Sequence, residues 1–178
     1  GKLEEAYRNA RAYVEGGAIS EKDTLDSVMQ LAVDKAGMGA YLAKLKKTVD
    51  GVAAANLGAI DARMEAVAKG LGVKPVVLVP TEAAKQAMKV VPKLTSKLTG
   101  GGYRGYSEAI AAVPQDVRTK YPYVTGVGNT AELNLLINGK HSVLDINKLL
   151  DAQNTRKSTI EGIMNYLQVL KSAGLVEF

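Results

Sequence analysis

The sequence predicts a mainly α-helical chain: a helical hairpin or bundle followed by a small winged-helix-like C-terminal module. Three observations carry that expectation. Apolar residues between about 40 and 69 recur at alternating three- and four-residue steps, the signature of a helix packed lengthwise on a neighbour. All five prolines fall between Pro75 and Pro122, so a punctuated middle separates two helix-rich ends. After residue 128, three capping-box pairs follow one another, each opening an apolar-patterned segment. The chain accordingly divides into a helical hairpin region over 1–72, a Pro/Gly-rich connector with short helices over 73–128, and a winged-helix-like module over 129–178.

In the first region, Lys2–Glu15 reads as a short helix stopped by Gly16 and Gly17. Ser20 with Asp23 then offers a capping box for a helix that carries Leu25, Val28, Met29 and Ala32 on one side and fades at Gly37–Met38–Gly39. The long helix over about 40–69 follows, with Leu42, Leu45, Val49, Val52, Ala59, Ile60, Met64 and Val67 as its seam. Asn56 interrupts that seam, either as a buried amide that fixes register or as an exposed position. Gly51 and Gly58 each weaken the helix by up to about 1 kcal/mol relative to Ala, which close approach of a partner helix would offset.

In the connector, Thr81 caps a helix through Val91 that Pro92 ends, and Ser107–Val113 and Gln115–Tyr121 read as two more short helices. The glycine-rich stretch Thr99–Tyr106 is either a plain linker or a contact loop made of Gly100, Gly102, Tyr103, Arg104, Gly105 and Tyr106. In the last region the cap pairs are Asn129 with Glu132, Ser142 with Asp145, and Ser158 with Glu161. Gly139 and Gly174 stand where the first and third helices should end. Ile160, Ile163, Met164, Leu167 and Leu170 form one stripe, and Leu175, Val176 and Phe178 read as a short strand. Three such helices running into a strand describe a helix-turn-helix core entering the first strand of a wing.

Composition narrows the chemistry. A 47% hydrophobic share is enough for a core, and with eight Tyr, one Phe and no Trp it must be filled mainly by Ala, Val, Leu, Ile and Met. The net charge of +5 comes from basic residues scattered as at Lys44, Lys46, Lys47 and Arg156, Lys157, the pattern of solvated faces. The longest apolar run, Val76–Val79, is bracketed by prolines and far short of the ~18 residues a membrane span requires. With no cysteine, disulfides and thiolate metal sites are excluded. Gly1 in place of Met matches the scar of a cleaved tag and predicts an excised piece of a longer protein, with a processed mature chain as the other origin.

Gly100, Gly102 and Gly105 match G-x-G-x-x-G, but a dinucleotide site needs a buried strand before them and an acidic residue about 20 positions on; here Lys93–Thr99 reads as no strand and no such acidic residue follows. His141, the single histidine, is read as an exposed turn residue and cannot support a His-rich zinc site. A triad drawn through His141 and Asp145 lacks a G-x-S-x-G nucleophile. The carboxylate pairs Glu4–Glu5 and Asp23–Asp26 sit at helix starts, where they favour the macrodipole. No catalytic, cofactor-binding or metal-ligating residue is therefore assigned, and contact surfaces are expected to supply the function. As a DNA reader, the module would use Arg156, Lys157, Thr159, Asn165 and Gln168, with Glu161, Gly162 and Tyr166 also facing outward. No cation lies between Lys157 and Lys171, so protein–protein packing is the stronger reading.

The stretches VPKLTSKLTGGGYRGYSEAI (91–110), LNLLINGKHSVLDINKLLDAQ (133–153) and IEGIMNYLQVLKSAGLVEF (160–178) resemble the tail of bacterial zinc-dependent aminopeptidases of the leucyl aminopeptidase type. In that family a di-zinc exopeptidase domain is followed by a helical region and a small winged-helix-like end. The resemblance covers about half of the chain and implies a non-catalytic C-terminal accessory region. Its partner would be the catalytic domain of the same parent or a second copy, and the parent would be secreted or periplasmic. None of the family's zinc ligands maps onto this chain. The other readings are a winged-helix DNA-binding regulator and a free-standing helical interaction protein.

Overall fold

The computed structural model describes residues 1–98, 102–123 and 125–178, with residues 102–105 described by backbone alone. The chain is mainly α-helical, as the sequence predicts, and falls into two compact units, Gly1–Val79 and Pro80–Phe178.

The first unit is a hairpin of two long antiparallel helices, α1 (Lys2–Val28) and α2 (Lys35–Gly70). Gly16 and Gly17 do not stop α1: the helix runs through them, and no new helix starts at Ser20. The tertiary pairing overrides the local propensity, since Gly16 is buried inside the hairpin. The break comes instead at 29–34, and Asp34 reopens the helix by accepting a hydrogen bond from the Gly37 amide at 3.0 Å. Gly37 and Gly39, expected at a fading helix end, thus lie inside α2. Of the expected seam, Leu42 and Met64 are buried, Leu45, Val49, Ile60 and Val67 are half-buried, and Val52 and Ala59 are exposed. Within the hairpin itself Asn56 is exposed. Register is set along one side by ion pairs between the helices: Arg11 with Asp61, Lys22 with Asp50, and Lys46 with Asp26.

The second unit contains α3 (Glu82–Ala87), β1 (Lys93–Leu94), a 3-10 turn (Ser96–Leu98), α4 (Gly102–Ala111), α5 (Gln115–Lys120), α6 (Thr130–Leu136), α7 (Val143–Gln153), α8 (Ile160–Ser172) and β2 (Val176–Glu177). Thr81 caps α3 as expected, but the helix ends at Ala87 rather than Val91. The segment Lys93–Thr99, read as lacking strand character, supplies β1, and the stretch read as a glycine loop is helical from Gly102. Packing explains the second difference: Tyr106, Ala109 and Ile110 of α4 lie against the core. That core is centred on Ile163, Leu167 and Leu170 of α8, with Leu133 of α6, Ile137 just after it, and Ile146 and Leu150 of α7. Ala87 and Val90 also pack there, so the boundary falls at 79/80 and not at 128/129.

Connector and terminal helices are stitched together by backbone hydrogen bonds. The Val143 amide donates to the Val90 carbonyl (2.8 Å), and the Gly139 amide donates to the Pro92 carbonyl (3.0 Å). β1 pairs antiparallel with β2, Lys93 opposite Glu177 and Leu94 opposite Val176, and Lys93 also bridges to Asn138. The strand read from Leu175, Val176 and Phe178 is present as Val176–Glu177, with an upstream segment as its partner.

The capping box of α7 forms as predicted between Ser142 and Asp145, and at α6 Asn129 supplies the cap by accepting from the Glu132 amide. The third shifts by one residue. Thr159 caps α8, while Ser158 is buried and used elsewhere: its hydroxyl accepts from the Gly128 amide (2.9 Å) and its own amide donates to Asp151 (2.8 Å). Burial pushes the Asp151 carboxyl above the usual range, an effect the Ser158 amide counters.

Gly162 marks a close approach in this unit: a Cβ there would fall on the Gly126 backbone, 2.4 Å from its carbonyl carbon and oxygen. Gly162→Ala should therefore lower stability by about 1–3 kcal/mol, as overpacking does. Gly58→Ala, at a mid-helix position with open space around it, should raise stability by up to about 1 kcal/mol. Urea unfolding followed by circular dichroism reads both, and an unshifted midpoint for Gly162→Ala contradicts the packing described.

Candidate functional site

The cleft of mixed lining in the second unit, about 480 Å3, lies between α4, α6 and α8. Tyr106 of α4 and Tyr166 of α8 contribute rings, Tyr123 enters from the loop after α5, Asn134 projects from α6, and Arg156 stands in the loop before α8. The Tyr166 hydroxyl donates to Asn134 Oδ1 at 3.0 Å, which fixes both side chains in the wall. Burial pushes the Tyr166 phenol above its ordinary value, with the nearby Tyr123 acting in the same direction. Such a surface offers aromatic faces, an amide and a guanidinium: recognition chemistry for a planar or anionic group.

The structure brings together two residues that the sequence assigned to different readings, Tyr106 from the contact loop and Arg156 from the nucleic-acid set. Gly100 lies outside the described residues, as do the side chains of Tyr103 and Arg104; Gly102 and Gly105 are in α4. Of the nucleic-acid set, Arg156, Lys157 and Thr159 are exposed, whereas Asn165 and Gln168 are half-buried. Gly162 and Tyr166, expected to face outward, are buried. The exposed residues of α8 are Glu161, Lys171 and Ser172, at its two ends. Tyr123 and Asn134 were not singled out by sequence reasoning: neither belongs to a motif, and only the fold brings them to one wall.

His141 is buried rather than exposed, at 7% accessibility, and its amide donates to Asn138 Oδ1. Asp145 accepts from both the hydroxyl and the amide of Ser142 (2.7 and 3.1 Å), so it serves the α7 cap. The G-x-G-x-x-G stretch follows a two-residue antiparallel strand with both residues exposed, not a buried parallel one. Among the described residues, no group of three His, Asp or Glu is placed to hold a metal ion, and no helix is long and apolar enough to cross a membrane.

The first unit has a surface of a different kind. Two adjoining depressions, about 380 and 500 Å3, run along one side of the hairpin. The larger is lined almost wholly by apolar atoms of Leu3, Ala10, Ile60, Met64 and their neighbours.

Compared with models of known protein families, with curated proteins and with solved structures, the chain matches none.

The proton on Tyr166 links the cleft to stability. The folded state holds it more tightly than the unfolded chain, whose phenol titrates near 10.0, so the stabilisation is complete below pH 10 and is lost as pH rises through the folded pKa. Tyr166→Phe should flatten that alkaline decline and cost about 1 kcal/mol at neutral pH through the lost Asn134 bond. Denaturation midpoints taken across this range decide it; an identical pH slope in the variant refutes the assignment.

Proposed function

We propose that this chain is the non-catalytic C-terminal accessory region of a metallo-aminopeptidase, acting through contact surfaces. It would pack on the catalytic domain, assemble the enzyme or shape substrate access, in a secreted or periplasmic parent. The observation that carries the contact reading is the placement of α8. A helix that reads DNA must offer its side chains to the major groove. Here Ile163, Tyr166, Leu167, Val169 and Leu170 are all buried within the second unit, and cations stand only before and at the end of the helix.

We read residues 129–178 as winged-helix-like on the order of their elements: α6, the extended bridge at Asn138, α7, α8 and then β2. The place of a second wing strand would be filled by β1, which lies between Asn138 and β2. The aminopeptidase parent is supported by the resemblance alone. Its three segments, 91–110, 133–153 and 160–178, all fall inside the unit that begins at Pro80, so they describe one module rather than scattered likenesses.

Two measurements test this reading. Coding sequence upstream of this chain should specify paired His and Asp/Glu zinc ligands; a stretch without them removes the peptidase parent. A fluorescence titration of duplex DNA with the chain at low salt should show no saturable binding, since phosphate contacts dominate such affinity there. Tight, salt-sensitive binding would replace the contact reading with the regulator one.

A further inference from the structure

The two depressions on the hairpin are one groove. On α1 the lining residues Leu3, Tyr7, Ala10, Val14, Gly17 and Glu21 advance by three and four, so they share a face over 18 residues, about 27 Å. Their counterparts on α2, from Val67 to Val49, do the same. The interhelical ion pairs use Arg11, Lys22 and Asp26, roughly a quarter turn round α1. One side of the hairpin is thus closed by charges and the other is open, with Tyr13 and Val52 more than half exposed beside it.

From this groove we infer that the hairpin pairs with the hairpin of a second copy of the chain, forming an antiparallel four-helix bundle. The inference deepens the contact reading above and is independent of the peptidase parent. Charge complementarity selects a second copy. The groove lining holds one acidic and one basic side chain, Glu21 and Arg63, and neither has an ion-pair partner among the described residues. They stand at different levels, on either side of Asn56. The pairs Lys22–Asp50 and Lys46–Asp26 place Asn56 level with about residue 16 of α1. By the rise of a helix, Glu21 then lies about 8 Å to one side of Asn56 and Arg63 about 10 Å to the other.

A two-fold axis crossing both helices at Asn56 would therefore bring each Glu21 toward the Arg63 of the other copy. It would also set the two Asn56 amides face to face, the arrangement by which a seam Asn fixes register. Small residues near this level, Ala10, Gly17, Ala53 and Ala59, leave room for the helices to approach closely. Size fits as well. The 27 residues of α1 span about 40 Å, and a face two helices wide offers on the order of 800 Å2, the contribution of each partner to a stable dimer.

Sedimentation of the 178-residue chain should give a species of twice 18.8 kDa at micromolar concentration. Glu21→Arg or Arg63→Glu alone should weaken the dimer by about tenfold or more, and the two together should restore it. Circular dichroism checks that helicity is retained in each. Because the chain has no cysteine, Asn56→Cys should give a disulfide-linked dimer on mild oxidation, while Ala62→Cys, exposed on the other side of α2, should not. A chain monomeric at about 100 μM would overturn the inference, whatever other protein covers the groove. So would equal cross-linking at the two positions, or a double variant as weak as the single ones. The zinc-ligand and DNA tests above read other properties, so either proposal can fail without the other.

Discussion

The second unit depends on one constraint: α8 carries a broad apolar face, from Val169 round to Leu167, that must be covered. Ile163, Leu167 and Leu170 are fully buried, and Tyr166 and Val169, which widen the same face, are buried too. Each such side chain stabilises the fold by about 1.5–3 kcal/mol when it leaves water, provided something covers it. Two neighbouring helices cannot cover so wide a face. The rest of the cover is drawn from α3, α4, α5 and the β1–β2 ribbon. Helices of six residues such as α3 and α5 are too short to hold together alone, so they form because α8 gives them a surface. The chain from Pro80 onward is consequently a single unit.

Burying a helix this way also buries the backbone that wraps it, and those polar groups need partners. The Val90 and Pro92 carbonyls take amides from Val143 and Gly139, and Thr95 bonds to the β2 side through both its amide and its hydroxyl. On the other flank, Ser158 joins Gly128, Asp151 and Asn147, the last donating to its carbonyl. These bonds hold the loop that presents Arg156 and the segment that precedes Asn129. The cleft is thus a product of the wrapping: its walls are elements brought together to cover α8, and its polar groups are those left at the seam.

What the sequence revealed follows the range of the interaction concerned. Caps at Thr81, Asn129 and Ser142 were legible because donor and acceptor lie three residues apart. Ser158 was misread as a cap because its hydroxyl is claimed by Gly128, thirty residues away, leaving Thr159 to do the capping. Gly16 and Gly17 looked like a stop because propensity is local, whereas the pairing that carries α1 through them is not. β1 was invisible for the same reason: Lys93 finds Glu177 only in the folded chain. Of the cleft, Tyr106, Arg156 and Tyr166 were named under two unrelated headings and Tyr123 and Asn134 not at all, because burial of α8 decides which side chains meet.

The hairpin presents the opposite case. Each of its helices is covered along one line only, and Gly16, Leu42, Met64 and Ala68 are its buried helical residues. Two helices side by side bury little, and helices of this kind draw most of their stability from packing rather than propensity. Its ion pairs are largely solvent-accessible, so they specify register more than they stabilise. The glycines at 17, 51 and 58 weaken it further. On the pairing inferred above, an arrangement that is thin in core, rich in small residues and open along one apolar side would be half of a bundle. Covering that side would then serve stability and assembly together.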